Sequence, residues 1–495
     1  MNETDIKRDE VPLRWGKRLL IGAFFFFFLS LFFYLCSNET AAFSPIKASG
    51  SFLLSLIFTS LVGLYLWMRH RRLFISSRHL ILLASLAVLT LFFAKATDYF
   101  FVGHSGYLVY YHAPLFVPFI SILVCLLIGS EAALFVAFCL TVVLGSFLTV
   151  DPTRFYVMNF LTSGVTILAT KGIHKRNAVF VVLAKTWASA LPLLLAFSFL
   201  YGESYKQLSY DCIAAFGFLL TTSALVACLL PLLESLFHVM TAMRLREYFD
   251  PNHELLRRLS LEAPGTYQHS LVVGNLAEIA AHSIGADALF CRVATLYHDI
   301  GKLLNPHYFS ENQCGGVNMH QLLTPIESAH VIIAHVREGE RLARKYRLPR
   351  SFIDIIREHH GTSLVSYFYH KEVESRGEEE AKEAISAFRY AGPKPRTKES
   401  ALIMLVDTIE AASRSMEQVT EESLAEMVNR LVAKKIAEGQ FNESPLSFEE
   451  LAKVKKSLIN ALVIARHQRV KYPSVVPDTE MREQSIPPRI ETVKS

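Results

Sequence analysis

Long apolar runs fill the first half of this 495-residue chain and restrict what it can fold into. A helix that crosses a lipid bilayer needs roughly 20 mostly apolar residues. Segments near that length occur at residues 18–36, 50–68, 79–97, 113–130, 132–150, 155–170, 178–200 and 212–239. They predict about eight membrane-spanning helices joined by short outer loops. Hydrophobic residues make up 52% of the chain and charged residues 19%, which agrees with a membrane protein.

Basic residues are distributed unevenly between the predicted loops. With the N-terminus in the cytoplasm, the outer loops hold only Lys47, Arg154 and Lys206. The inner segments hold twelve Lys and Arg residues, namely Lys7, Arg8, Arg14, Lys17, Arg18, Arg69, Arg71, Arg72, Arg78, Lys171, Lys175 and Arg176. This bias predicts a multi-pass protein of the inner (plasma) membrane whose C-terminal half is cytoplasmic. If the first run is instead a cleaved signal peptide, seven spans and the same cytoplasmic C-terminal half remain.

The composition changes after about residue 239, where Glu, Lys and Arg become frequent. Apolar residues still recur at helical spacing and strand-like alternation is scarce. The predicted fold class is therefore all-α, with a polytopic helical membrane bundle followed by a cytoplasmic all-helical domain. The predicted divisions are a cytoplasmic N-terminal segment 1–17, a membrane bundle 18–239, a helical connector 240–262, a globular domain 263–472 and a disordered tail 473–495.

The connector 240–262 is amphipathic, with Leu255, Leu256 and Leu259 forming an apolar stripe. Two interpretations are open for it. It transmits a shift from the bundle to the following domain, or it is a tether that packs on that domain. The second is the simpler interpretation, because an apolar stripe needs a surface to cover.

Histidine is concentrated in the second half, with ten of the 18 histidines between His269 and His370. Among them, His298 and Asp299 are adjacent and follow an apolar helical run over 288–296. The pattern predicts that this pair closes a buried helix, which Gly301 terminates. An imidazole and a carboxylate held side by side can face one metal ion. The pair is weak evidence alone and needs further ligands elsewhere.

Further candidate ligands lie in other predicted helices. They are His269 in the first turn after Pro264-Gly265, His335 within 328–347, His359 and His360 at the end of 350–360, and Asp407 within 401–416. Asp407 is surrounded by apolar residues, and a carboxylate on an apolar face is costly unless it is paired or bound to metal. A lone histidine is more often a surface or core residue, but two adjacent histidines have little structural reason to occur together.

Together these residues form the pattern H…HD…H…HH…D, which resembles the metal-dependent HD phosphohydrolase superfamily. The chain is similar in particular to the seven-transmembrane HD proteins of the PgpH type. The segments that carry this similarity are 297–302, 311–313, 332–335, 358–362, 367–370 and 388–395. No Gly-Tyr-Pro follows His360, which separates the chain from the HD-GYP enzymes. Where the family has a large extracellular domain after the first span, this chain has only a short segment near 37–49.

The resemblance implies a membrane-anchored phosphodiesterase that opens cyclic di-AMP to 5′-pApA. It also implies two divalent transition-metal ions, iron or manganese, and no other cofactor. His269, His298 and Asp407 would serve the first ion, and His335, His359 and His360 the second. Asp299 would bridge both ions, and Lys302 would contact the phosphate or the leaving oxygen. For Lys302, a solvated lysine at a helix end is the alternative.

Other functions stay open at this point. An HD nucleotidase or triphosphohydrolase would act on mononucleotides, and a membrane receptor would bind nucleotide without turnover. The partners expected are a cyclic dinucleotide and the lipid bilayer, with no polymeric nucleic acid. The charged helices predicted over 418–470 either pack on the domain or pair two protomers as a homodimer.

Overall fold

The computed structural model describes residues 11–37, 44–70, 74, 76–102, 114–148, 151–173, 175–313, 318–416 and 420–467. Within these ranges the fold is all-α, and the β-structure is limited to one isolated bridge between Leu364 and Arg389. The α-helices are α1 Val11–Ser37, α2 Pro45–Arg69, α3 Ser77–Val102, α4 Val117–Leu127, α5 Ser130–Phe147, α6 Pro152–Thr170, α7 Val179–Tyr201, α8 Tyr205–Phe237, α9 Ala242–Tyr248, α10 Glu254–Glu262, α11 Pro264–Ser283, α12 Ala288–Thr295, α13 Pro325–Lys345, α14 Arg350–Glu358, α15 Ser366–Arg376, α16 Glu378–Glu383, α17 Lys398–Arg414, α18 Glu421–Ala437 and α19 Phe448–His467. The predicted disordered tail lies outside the described residues.

Helices α1 to α8 coincide with the apolar runs of the first half. In the described part of the chain, six of them are long and apolar enough to cross a membrane. Helix α4 has only 11 residues, and α6 carries polar side chains. The structure therefore indicates a multi-pass membrane protein, and the number of spans stays a prediction.

Helix α4 is short because a side chain of α6 binds the backbone at its N-terminal end. The predicted run began at residue 113, but the helix begins at Val117. Asn159 of α6 is fully buried, and its side chain accepts a hydrogen bond from Val117 N at 3.2 Å and donates one to Pro114 O at 2.8 Å. Inside a bilayer every backbone polar group needs a partner within the protein. Asn159 supplies partners for the first residue of α4 and for the non-helical Pro114 before it.

The connector consists of two helices, α9 and α10, which are separated around Asp250-Pro251. Proline lacks an N–H group and disfavours the helical conformation of the preceding residue, so one continuous helix does not form. The leucine stripe of α10 is almost completely buried in the core of the second half, with exposed fractions of 0% for Leu255, 1% for Leu256 and 0% for Leu259. The stripe therefore packs on the following domain.

The second half of the chain has one continuous apolar core. Helix α11 lies at its centre and contacts α12, α17 and α19. Helices α18 and α19 contribute Val428, Val454 and Leu458, all with 0% exposure. These two charged helices thus bury their apolar faces on the domain. This arrangement holds α11, α12, α13, α14 and α17, which carry or directly precede the predicted metal ligands, around one point.

Candidate metal centre

The His298-Asp299 pair lies in a turn, because α12 ends at Thr295 and a 3₁₀ helix begins at Ile300. The prediction that this pair closes the helix was wrong by one turn. Short-range bonds such as His298 N to Thr295 O replace the α-helical pattern there. Both side chains are buried. The turn projects the imidazole and the carboxylate away from the helix and towards the other candidate ligands.

Gly301 does not terminate a helix, as the sequence had suggested. It allows two segments to meet at backbone distance. A Cβ atom at this position would lie 1.8 Å from His335 O and 2.5 Å from Gly339 N. Such separations are far below van der Waals contact, so only glycine lets the turn lie directly on α13. The glycine thereby brings the His298-Asp299 turn next to His335.

The other candidate ligands come from four helices or their ends. His269 lies in the second turn of α11, one turn later than predicted. His335 lies near the middle of α13, and Asp407 near the middle of α17. His359 and His360 directly follow α14, which ends at Glu358 and not at residue 360. All of these side chains converge with His298 and Asp299.

The first group of ligand atoms surrounds one oxygen of Asp299. Asp299 Oδ2 lies 3.3 Å from His298 Nε2 and 3.8 Å from His269 Nε2. Asp407 Oδ1 completes the group, at 3.0 Å from His269 Nε2 and 3.7 Å from His298 Nε2. Ligand atoms that each lie roughly 2.1 Å from a metal, at right angles, are about 3 Å apart. The spacing therefore suits a single ion.

The second group surrounds the other oxygen of the same carboxylate. Asp299 Oδ1 lies 3.3 Å from His335 Nε2 and 3.7 Å from His359 Nε2, and these two nitrogens are 3.2 Å apart. His360 stands beside them, and its Nδ1 is 3.9 Å from Asp407 Oδ2. The structure thus brings all seven predicted ligands together. Asp299 lies between the two groups and offers one oxygen to each, at 3.3 Å from His298 Nε2 and 3.3 Å from His335 Nε2.

The histidine rings are oriented by backbone carbonyls. Nδ1 of His298, His335 and His359 donates to the carbonyl oxygen three residues earlier, at 2.6, 2.5 and 2.8 Å respectively. This leaves Nε2 of each ring facing the centre, as in histidines that bind metal. Among the described residues, His298 Nε2 and Asp299 Oδ1 are buried and have no hydrogen-bond partner. Buried polar atoms without partners are costly, and a cation would compensate these two.

The pKa values agree with a cation-binding centre. Burial lowers the pKa of His335 to about 4, so this imidazole is neutral and able to ligate. Burial opposes ionisation of Asp299, but the charges of His298 and Lys302 outweigh it and hold the pKa of Asp299 well below its usual value. Burial also disfavours charge on His298, yet Asp299 and Asp407 raise its pKa to about 10. A metal ion here would therefore replace a proton on His298.

Glu410 is a functional candidate that the sequence reasoning missed. It is 3% exposed, and its Oε2 accepts a hydrogen bond from His269 Nδ1 at 2.6 Å. Its other oxygen accepts from Arg414 Nε at 2.5 Å. Glu410 follows Asp407 by three residues on α17, so both lie on the same face of the helix. The spacing of three residues from Asp407 is the sequence feature that could have indicated Glu410. Glu410 fixes the ring of His269 so that Nε2 faces the centre.

We expect Glu410→Gln to lower metal affinity or activity by roughly 10- to 100-fold, because it removes the carboxylate that orients a ligating histidine. Metal titration of the full-length protein and kcat/KM would measure the effect. The control is Glu422→Gln, which makes the same chemical change at an exposed position of α18. Equal metal affinity in the two variants would contradict this role of Glu410.

Lys302 is not a solvated lysine. Its side chain is 13% exposed, and Nζ lies 2.8 Å from Asp299 Oδ2 and 2.7 Å from Glu311 Oε1. Thr266 Oγ1 donates to the same oxygen of Glu311 at 3.2 Å. Glu311 was part of a recognised segment, but its role was not predicted. It holds the ammonium group of Lys302 beside Asp299 at the wall of the site.

A cavity of about 640 Å³ opens above the two groups of ligands. This volume is typical of sites for small organic ligands. Aromatic side chains form much of its wall, including Tyr308, Phe309, Tyr367, Phe368 and Tyr390. Tyr390 stacks on the ring of His360, with 4.3 Å between ring centroids. The cavity is therefore lined by the candidate metal ligands on one side and by aromatic side chains around them.

Two family models match the chain. Residues 45–241 match the 7TM receptor with intracellular HD hydrolase, and residues 266–412 match the HD domain. The first match spans α2 to α8, and the second contains all seven converging side chains. The fold and the site thus define a multi-pass membrane protein with an HD hydrolase domain, a metal-dependent class. Both matches agree with the similarity of the chain to the seven-transmembrane HD proteins of the PgpH type.

The relatives include cyclic-di-AMP phosphodiesterase PgpH of Listeria monocytogenes, 36% identical over 65% of this chain and 45% of that protein. PgpH of Bacillus subtilis is 42% identical over 51% of this chain and 35% of that protein. The crystal structure of the L. monocytogenes PgpH HD domain is 41% identical, with a TM-score of 0.41, and covers 44% of this chain and 100% of that one. The chain spans less than half the length of the two curated relatives.

Proposed function

We propose that this protein hydrolyses cyclic di-AMP to 5′-pApA. The observation that carries the proposal is the position of Asp299, whose two oxygens face two separate groups of ligand atoms. Such an arrangement suits two metal ions that share one carboxylate, as in many enzymes that cleave phosphate esters. The relatives named as cyclic-di-AMP phosphodiesterases, 36–42% identical to this chain, support this choice of substrate.

Two divalent ions, iron or manganese, would neutralise phosphodiester charge and lower the pKa of a water molecule. In this proposal His269, His298 and Asp407 would hold one ion, and His335, His359 and His360 would hold the other. Asp299 would serve both ions. Mixed imidazole and carboxylate ligands suit such transition metals. The carbonyl groups that accept from Nδ1 keep the rings in place, so the ligands need little reorganisation.

The side chains around the ligands would bind and orient the substrate. Lys302 is held between Asp299 and Glu311, and its ammonium group faces the cavity where a phosphoryl oxygen would lie. The aromatic wall with Tyr367 and Phe368 suits nucleobases, because bases stack on aromatic rings. Hydrolysis adds one water, breaks one bond between phosphorus and a 3′ oxygen, and leaves a 5′-phosphate. The 3′ oxygen takes the proton.

We further infer that the HD domain faces the cytoplasm and that the membrane bundle lies in the inner membrane. The excess of Lys and Arg in the predicted inner segments supports this orientation. It places the site where a cyclic dinucleotide messenger would be available. The divisions at residues 18–239 and 263–472 are part of the same proposal, and pairing of two protomers stays a prediction.

An assay of the purified full-length protein tests the proposed reaction. We expect conversion of cyclic di-AMP to 5′-pApA with Mn²⁺, and loss of turnover with a chelator. Cyclic di-GMP and dNTPs serve as competing substrates in the same assay. Faster hydrolysis of dNTPs would favour a nucleotidase. Binding of cyclic di-AMP without any product, in the presence of metal, would instead indicate a receptor.

A further inference from the structure

A buried carboxylate lies where the membrane bundle meets the second half of the chain. Glu234, near the end of α8, is 1% exposed. Its Oε2 accepts a hydrogen bond from Arg176 Nη2 at 2.9 Å, and its Oε1 accepts one from the hydroxyl of Thr241. Thr241 caps α9 by accepting from Arg244 N at 3.2 Å. One carboxylate therefore joins the loop before α7, the last membrane helix and the first connector helix.

Arg176 makes a second ion pair, directly with α9. Its Nε lies 2.6 Å from Glu247 Oε1, and its Nη2 lies 3.3 Å from Glu247 Oε2. A guanidinium that contacts both oxygens of a carboxylate is held in a defined orientation as well as attracted. We name Arg176, Glu234 and Glu247 the junction clamp. It ties an inner loop of the bundle to the helix that leads into the HD domain.

Helix α9 also packs against both halves of the protein. Met243 is 3% exposed and belongs to the core of the membrane bundle, whereas Leu245 is 2% exposed and belongs to the core of the HD domain. His238, between α8 and α9, has a left-handed backbone with φ of 54°, which is uncommon for residues other than glycine. The segment between the bundle and α9 is therefore a turn with a defined backbone conformation, and the helix that follows it is packed on both sides.

The far end of α9 reaches the segments that carry the metal ligands. Tyr248 O belongs to the last turn of the helix, where carbonyl groups lack helical partners. It accepts a hydrogen bond from the hydroxyl of Tyr297 at 2.6 Å, and Tyr297 directly precedes His298. The Tyr248 ring also contacts Phe352 of α14, with 5.2 Å between centroids. Helix α14 leads to His359. Tyr248 therefore contacts a residue next to His298 of the first group and the helix that precedes His359 of the second group.

We propose that the junction clamp positions the metal-ligating segments through α9 and Tyr248, so that a rearrangement of the membrane bundle changes turnover. Helix α9 is seven residues long, or roughly 10 Å, and its internal hydrogen bonds make it move as a unit. Small displacements matter at the far end, because a misplacement of about 1 Å can lower a rate about 100-fold. The inference rests on the metal centre proposed above.

The test compares Arg176→Ala with Lys175→Ala in the full-length protein in lipid nanodiscs. Lys175 is an exposed basic residue next to Arg176, so its variant controls for loss of one positive charge. We expect Arg176→Ala to speed amide hydrogen exchange over residues 297–302 and to change kcat for cyclic di-AMP by about 5-fold or more, with KM little changed. Lys175→Ala should match the wild type in exchange and in kcat.

A double-mutant cycle adds a second criterion. Tyr297→Phe removes the hydroxyl that binds Tyr248 O, and its effect should not add to that of Arg176→Ala, because both break the same connection. Effects that add fully, or an Arg176→Ala protein that behaves like Lys175→Ala, would overturn the proposal. If Arg176→Ala does not fold, Glu247→Gln provides the same comparison with a smaller change.

Hydrogen exchange also separates this inference from the proposed reaction. A wild-type protein that does not hydrolyse cyclic di-AMP would refute the proposed function alone. Exchange over residues 297–302 would then still decide whether the clamp controls the metal-ligating turn, because exchange needs no substrate.

Discussion

Asp299→Ala is expected to abolish most of the proposed phosphodiesterase activity, with kcat/KM lowered about 1000-fold or more. Asp299 faces both groups of ligand atoms, so its loss removes a ligand from each proposed ion. A bound metal contributes several kcal/mol to stabilising the transition state, and about 4 kcal/mol corresponds to three orders of magnitude in rate. Metal content, measured by elemental analysis after gel filtration, should fall together with activity.

The control for this variant is Asp354→Ala on α14. Asp354 is a half-buried aspartate of the same domain that is not one of the converging ligands. It should keep its metal content and nearly all of its activity. Circular dichroism would verify that both variants are folded. An Asp299→Ala protein that keeps two bound ions and activity within about 10-fold of wild type would contradict the shared-carboxylate arrangement.

Gly301→Ala is expected to destabilise the folded protein more than Asp299→Ala does. The added Cβ would lie 1.8 Å from His335 O, and a backbone atom of a packed helix cannot move away without displacing its neighbours. We expect a loss of about 3 kcal/mol in the free energy of unfolding, at the upper end of typical overpacking effects. Activity should fall about 100-fold in the folded fraction, because the turn with Asp299 moves away from His335.

Thermal unfolding of the full-length protein in detergent would measure the effect of Gly301→Ala. Gly172→Ala is the matched control, since nothing lies within 4 Å of a Cβ atom at that position. It should unfold within a few degrees of the wild type. An unchanged unfolding temperature for Gly301→Ala would show that the turn and α13 do not approach as closely as described.

Most of the site residues could be predicted because residue type carries the chemistry. Histidine and aspartate side chains are able to bind metal ions, and a carboxylate such as Asp407 within an apolar helix face signals a buried polar centre. The supporting residues were harder to find. Glu410 and Glu311 have ordinary charged side chains, and their roles depend on contacts with His269 and Lys302 that no local pattern reveals.

Helix ends and breaks were predicted less well than helices. Apolar spacing over 288–296 predicted α12, but the chain leaves the helix at Thr295. The close packing of Gly301 on α13 and the short-range hydrogen bonds of the turn favour this earlier end. Likewise, α4 begins later than its apolar run because Asn159 supports the residues before it. In each case a partner that is distant in the sequence determines where the helix begins or ends.

The sequence by itself determined the helical class, the apolar membrane half and the identity of the candidate ligands, because periodicity and side-chain chemistry are local properties. The tertiary structure alone decided which atoms face each other. His269 and Asp407 are 138 residues apart, yet they lie within 3.0 Å because α11 and α17 pack in one core. The same packing divides the ligands between the two oxygens of Asp299 and connects Arg176 to Tyr297 through α9. Such contacts depend on how helices pack together, which no single stretch of sequence specifies.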